Sequence, residues 1–199
     1  MTTTPRLFYV PKTRSTRVRW VLEELGEPYE LVRLDPSKGE TKTEAHTRRH
    51  PLQHVPVLET DEGTIFESCA ICLHLAANTP LLPEDGSHQR ALVMQWVFFG
   101  VTEVEQLLGK LAAERRKPEP DAGRLEGFVK KLARPLAALD AAMEGREWLV
   151  GAHFSVADVI IGALLVWADR LELLGSLPRA RACVERVKAR PAYQRAMAD

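Results

Sequence analysis

Four short clusters in this chain combine residue types and spacings that suit chemistry. In Tyr9-Val10-Pro11-Lys12-Thr13-Arg14-Ser15-Thr16-Arg17-Val18 a β-type run ends and a helical pattern begins. Such a junction offers unpaired backbone N–H groups and the positive end of a helix dipole, which favour an anion or a thiolate. Arg14, Arg17 and Arg19 crowd the first turns, where cations are unfavourable unless an anion offsets them; the competing reading is a solvated basic face. The second cluster, Val55-Pro56, opens another β-type run. Proline removes a ladder donor, so it belongs at the first residue or the edge of a strand. A cis bond there would turn the backbone of Val55 outward, toward a peptide-like ligand.

The third cluster, Glu67-Ser68, closes a hairpin signal and starts a helix. Serine is a good N-cap, which alone accounts for it. The same place can bind a carboxylate through the Ser68 hydroxyl and a backbone N–H while Glu67 meets an ammonium. The fourth, Cys69-Ala70-Ile71-Cys72, is a C-x-x-C whose thiols a helix N-terminus could acidify; the expectation is two buried small residues instead. Ser155-x-x-Asp158 is a close relative of the capping box and reads as structural. The six histidines show no metal-ligand spacing, so no metal site is expected.

The elements that must position these groups follow the order of the chain. Leu7 to Val10 is β-type, and Val18, Val21, Leu22 and Leu25 then recur on one helical face, with Gly26 placed to end the helix. Tyr29 to Leu34 reads as a second strand, parallel to the first. Thr43 to Arg49 suggests a short helix. Val55 to Leu58 and Thr64 to Phe66 flank Asp61-Glu62-Gly63, a hairpin signal, and Ser68 starts a helix carrying Ile71, Leu75 and Ala76. Thr79 to Gly86, with Pro80 and Pro83, reads as a linker. From Ser87 onward the patterns are helical: Ser87 to about Arg116; Asp121 to Glu144, with Pro135 predicting a kink; one from Ser155; and Pro178 to Met197, broken at Pro191.

Composition narrows the function classes. The 199 residues are 45% apolar, and Lys+Arg and Asp+Glu are both 27, for a formal net charge of zero. That balance lacks the electrostatic footprint of a nucleic-acid binder or a polybasic membrane protein. The longest apolar run, Val159 to Ala168, is about half the ~20 residues that span a bilayer, so it reads as a buried helix. Met1 to Arg6 has no apolar signal-peptide core, and three cysteines give no disulfide framework; a cytoplasmic location is expected.

The string Val55-Pro56-Val57-Leu58, followed by Ile65-Phe66-Glu67-Ser68-Cys69-Ala70-Ile71, resembles the glutathione S-transferase family at its most diagnostic stretch. The Thr13 to Val18 turn and Leu22-Glu23-Glu24-Leu25-Gly26 are similar to bacterial members. Trp148-Leu149-Val150-Gly151, Phe154-Ser155-Val156-Ala157-Asp158 and Arg190-Pro191-Ala192-Tyr193-Gln194-Arg195 match late in the chain. The resemblance implies an α/β thioredoxin-like domain at residues 5–78 followed by an all-α helical domain at 87–199. It implies glutathione as co-substrate, a homodimer, and transfer of the glutathione thiolate to an electrophilic small molecule, a detoxification chemistry. The classes left open are a glutathione-dependent isomerase or peroxidase, and a non-enzymatic module on the same fold.

Carried over by position, the resemblance assigns the cysteinyl part of glutathione to Val55, beside a cis Pro56, and the γ-glutamyl end to Glu67 and Ser68. Thr13 matches the hydroxyl that faces the sulfur, with Tyr9 and Ser15 as alternatives and Arg14 nearby. His50-Pro51-Leu52-Gln53-His54 replaces a pattern that often reads Asn-Pro-x-Gly-Lys, so His54 stands where a lysine commonly meets the glycine carboxylate. The slot of a redox pair, after the first strand, is Lys12-Thr13-Arg14-Ser15 and has no cysteine. Trp96, Phe98 and Phe99 are core or interface candidates, and one of them could line an electrophile pocket.

Overall fold

The computed structural model describes residues 4–198, which separate into two compact units. The first runs to Ala77 and takes up the chain again from Ala189; the second is Asn78–Lys188.

In the first unit, β1 (Arg6–Tyr9) buries Leu7, Phe8 and Tyr9, and α1 (Ser15–Leu25) buries Val18, Val21 and Leu22 of the predicted face. Gly26 ends α1 at φ 70°, its N–H donating to the Leu22 carbonyl at 3.0 Å, a left-handed position that glycine adopts without a Cβ clash. β2 (Glu30–Arg33) lies parallel to β1, as expected of a β-α-β unit. Next come α2 (Glu44–Arg49), capped by the Thr43 hydroxyl accepting from His46 N–H at 3.2 Å, then β3 (Val57–Thr60), β4 (Gly63–Phe66) and α3 (Ser68–Ala76). The sheet order is β2-β1-β3-β4, with β3 antiparallel to both its neighbours. β3 begins two residues later than its pattern suggests, since Pro56 has no N–H to place in a ladder. The Val55–Pro56 bond is cis, as expected.

Register makes one row across this sheet decisive. Phe8 pairs with Val57, and Val57 with Phe66. The end of β1, the approach to β3 and the end of β4 therefore lie side by side, and the helices after β1 and β4 start from the same edge.

The break at Pro191 marks a return of the chain to this unit. α8 (Pro178–Ala189) is followed by α9 (Pro191–Met197), which packs on α1. Trp20 and Tyr193 meet edge to face at 5.0 Å, Arg190 grips both Glu24 oxygens at 2.7 and 2.8 Å, and Arg195 reaches Glu23 at 2.7 Å. Glu23 also accepts from the Tyr29 hydroxyl at 2.7 Å. Burial, and then this bond to Glu23, push the phenol up to about 12.

In the second unit the predicted helix from Ser87 to about Arg116 is resolved into α4 (His88–Phe99), a π-helical stretch (Gly100–Glu105) and α5 (Gln106–Arg115). Gly100 packs closely on Ile161 and Leu164: a Cβ there would come within 2.8 Å of the Ile161 Cδ1 methyl and 3.0 Å of Leu164 Cδ1, so these buried side chains would have to shift. α6 (Ala122–Ala142) buries Leu132, Leu136 and Leu139 of its predicted face, keeps Pro135 within the helix, and leaves Val129 40% exposed. Its Asp140 accepts from the N–H groups of Arg179 and Ala180 at 2.8 and 2.9 Å, satisfying the first turn of α8.

The apolar run becomes α7 (Val156–Arg170), with Val159, Ile160, Ile161, Leu164 and Leu165 fully buried. Among the described residues no helix is long and apolar enough to cross a membrane. The start of α7 holds its polar groups tightly. Asp158, 3% exposed, accepts from Ser155 N–H, Ser155 Oγ–H and Leu149 N–H, each at 2.9 Å. Asp158→Ala would strand two buried N–H groups at about 1–3 kcal/mol each. We expect a stability loss of about 2–6 kcal/mol in urea unfolding, whereas a loss under ~0.5 kcal/mol would place these bonds in solvent.

Candidate functional site

A cavity of about 360 Å³ opens in the first unit, within the roughly 300–1,000 Å³ range of small-molecule sites. The turn between β1 and α1 supplies Val10, Thr13 and Arg14, and the segment leading to α2 supplies Pro36 and Thr41. The chain between α2 and β3 contributes His50, Gln53, His54, Val55 and Pro56, and the β4–α3 junction contributes Glu67 and Ser68. Thr13, Arg14, His54, Val55, Pro56, Glu67 and Ser68 thus share one wall system, as a peptide-like ligand requires. Tyr9 and Ser15 do not line it: both are buried, Tyr9 with its ring 5.7 Å from the Arg19 guanidinium carbon.

The three candidate hydroxyls are sorted by this burial. Thr13 is exposed, and its Oγ1 donates to the Val10 carbonyl at 2.7 Å. It has one proton to give, so at 2.8 Å Ser15 Oγ is the donor to Thr13 Oγ1, and Ser15 N–H adds a second bond at 3.2 Å. Ser15 therefore acts on Thr13 and not on the cavity. Arg14 holds the cap position of α1 without a side-chain cap bond. Arg17 is turned inward and reaches Cys69 Sγ at 3.8 Å.

At the β4–α3 junction, Ser68 is the first residue of the helix and not its cap, which is Glu67. The Ser68 hydroxyl bonds to no other described residue. Glu67 is held at φ 73°, ψ 110°, a conformation that costs a non-glycine residue on the order of 1–3 kcal/mol and that clusters at ligand sites. Just before β3, the backbone N–H and C=O of Val55 pair with no other described residue, leaving a short open edge at the cavity.

The loop after α2 is fastened from beneath. Arg49 bonds Glu59 on β3 at 2.8 Å, holding that carboxyl below the ordinary range. Buried His46 meets the His54 carbonyl through Nε2 at 2.9 Å. Gln53, at φ 59°, donates from Nε2 to Thr47 Oγ1 at 3.1 Å. His50, Gln53, Pro36 and Thr41 are cavity residues that motif reading does not assign; for His50 the available signal is the four-residue spacing of His46, His50 and His54.

Cys72 is fully buried and its thiol is pushed well up by burial; Cys183 is raised to about 11 for the same reason. Among the described residues no group of side chains is arranged to hold a metal ion.

Residues 5–77 match the family model of the glutathione S-transferase N-terminal domain, and 122–195 that of a C-terminal domain. A probable glutathione S-transferase GSTF2 from Oryza sativa subsp. japonica is 31% identical over 191 residues, covering 90% of this chain and 89% of that protein. This chain belongs to the glutathione S-transferase family. A disulfide-bond oxidoreductase YfcG of Escherichia coli (strain K12) is 26% identical, covering 96% of this chain and 93% of its own, so relatives are not all named for one reaction. A glutathione transferase of Burkholderia graminis, solved with two glutathione molecules bound per subunit, superposes with a TM-score of 0.88 at 26% identity, covering 98% of this chain and 87% of that one.

Within this glutathione S-transferase fold the departure at 50–54 has an electrostatic consequence. Burial, and then the charge of His54, lower the pKa of His50, with Glu67 opposing. Its Nδ1 accepts from Leu52 N–H at 3.1 Å, a bond only the neutral ring can make. A group with a depressed folded pKa contributes stability above its unfolded value, ~6.5 for histidine, and loses it as pH falls through the folded value. We therefore expect His50 to titrate below ~6.5 by NMR, the Leu52 amide shifting at the same midpoint. A midpoint at or above the ordinary histidine value would contradict the assigned ring state.

Proposed function

We propose that this protein binds glutathione in the cavity and transfers its thiolate sulfur to an electrophilic small molecule. The observation that carries the reading is the convergence of Thr13, His54, Val55, Glu67 and Ser68 on one cavity. Ser68 and the N-terminus of α3 suit the γ-glutamyl carboxylate, and Glu67 its ammonium. The open backbone of Val55 suits the cysteinyl peptide unit, in the manner of an added strand. His54 suits the glycine carboxylate. A homodimer in the cytoplasm belongs to the same proposal.

The chemical difficulty is that a thiol is mostly protonated at neutral pH. Lowering its pKa by ~2 units takes about 2.7 kcal/mol of differential stabilisation. Thr13 turns its proton from the Val10 carbonyl to the sulfur while still accepting from Ser15 Oγ–H and N–H. A hydroxyl that accepts two bonds is polarised into a better donor. The thiolate then attacks the electrophilic carbon, a C–S bond forms, and the displaced group leaves with its electron pair. Tyr9 and Ser15, behind this surface, do not meet the sulfur; Ser15 is a positioning residue for Thr13.

Two measurements test the reading. Thr13→Ala should cut turnover roughly 10- to 100-fold, the worth of one donor to a charged group. The pKa of the bound thiol should rise, affinity should change little, and Thr13→Ser should keep most activity. A silent Thr13→Ala beside an inactive Tyr9→Phe would overturn the assignment. In calorimetry, Ser68→Ala and Glu67→Gln should each weaken glutathione binding more than Cys69→Ala does; unchanged affinity in both would remove the γ-glutamyl subsite.

A further inference from the structure

The loop after α2 carries a histidine with two nitrogens, only one of which is used among the described residues. His50 is 4% exposed and lines the cavity. Its Nδ1 accepts from Leu52 N–H at 3.1 Å and its carbonyl accepts from Gln53 N–H at 2.9 Å, so the residue folds the 50–53 turn around itself. An asparagine side chain accepting from the amide two residues on would do the same job in an Asx turn. Asparagine is the residue that the resembled pattern often has at this place. Histidine keeps that acceptor and adds a second nitrogen farther out.

With Nδ1 accepting, the neutral ring carries its proton on Nε2. No other described residue takes that proton. The groups facing the ring are His54, 5.4 Å away between centroids, Phe66 at 4.7 Å, and the charges of Glu67 and His46. Burial and the neighbouring His54 lower the pKa of the ring, and with Nδ1 accepting from Leu52 N–H it serves as a directional donor and not a point charge.

We infer that His50 is a specificity-determining residue, donating Nε2–H to the glycine carboxylate of bound glutathione beside His54. The inference rests on the proposed binding of glutathione in this cavity. It assigns the glycine end to a pair of imidazoles, one placed by the Leu52 amide and the other by the His46 bond to its carbonyl. The protein would then prefer the full tripeptide over γ-glutamylcysteine, which lacks that carboxylate.

H50N separates the two nitrogens, because it retains an acceptor for Leu52 N–H and removes the outer donor. Calorimetry with glutathione and with γ-glutamylcysteine should show H50N weakening the first roughly 10- to 100-fold, the range for a hydrogen bond to a charged group, and leaving the second within about twofold. H50Q, whose amide nitrogen reaches the place of Nε2, should recover part of the loss. Equal losses for both peptides, or no loss for glutathione, would overturn the role. The wild-type protein supplies a readout that needs no variant to fold: the ¹⁵N shift of His50 Nε2 should move on adding glutathione and stay on adding γ-glutamylcysteine. Movement with both, or with neither, overturns it as well. A wild-type protein that binds neither peptide removes the proposed function and this role together; one that binds glutathione with H50N unaffected removes only the role of His50.

Discussion

The candidate site depends on one row of strand pairing, Phe8 to Val57 to Phe66. Because β1 and β4 both run antiparallel to β3, two strand ends and one strand start meet at a single edge of the sheet. The helices that follow β1 and β4 must begin there, and the approach to β3 must pass between them. A one-residue slip would exchange the faces to which Val57 and Leu58 point, misfitting both packed faces, and carry Glu67 and Val55 out of line. The core forbids it, since Leu7, Val57 and Leu58 are all fully buried.

What gathers at that edge is mostly short-range polarity: a threonine and a serine hydroxyl, the backbone of Val55 with no partner among the described residues, and helix N-termini. Such groups are fixed in place by the fold, so they need little reorganisation when a charge is bound or developed. The long cations are handled differently. Arg17 is folded inward toward Cys69, and Arg190 and Arg195 are spent on α1 through Glu24 and Glu23. The cavity is also lined by two imidazoles, His50 and His54. An imidazole is shorter, stiffer and less strongly charged than a lysine side chain, so its contribution depends on what orients its second nitrogen.

The two units solve the same polar accounting separately. In the first, the arginine and glutamate pairs between α1 and α9 surround the Trp20–Tyr193 contact, so the last helix closes a face of the first unit. In the second, buried aspartates supply the ends of helices with acceptors: Asp158 at the start of α7 and Asp140 at the start of α8. Both carboxylates are stranded from solvent, and each is tolerable only because several N–H groups point at it.

Much of this was legible from local pattern. The α1 face, the Gly26 stop, the hairpin around Asp61-Glu62-Gly63, the Ser155-Asp158 cap and the breaks at prolines are set by neighbours within a few residues, so the sequence by itself determined them. The same holds for the chemical types gathered in the motifs around Thr13, Val55 and Glu67, which carried the family resemblance. Tertiary structure decided what depends on distant partners. It buried Tyr9 and Ser15 and left Thr13 at the surface, though all three hydroxyls share one local pattern. It introduced the π-helical stretch at Gly100, where the backbone nears Ile161, and returned α9 to α1. It also turned His50 from one of six unremarkable histidines into a neutral ring with one nitrogen committed, because burial and a backbone amide two residues away act only once the loop is folded.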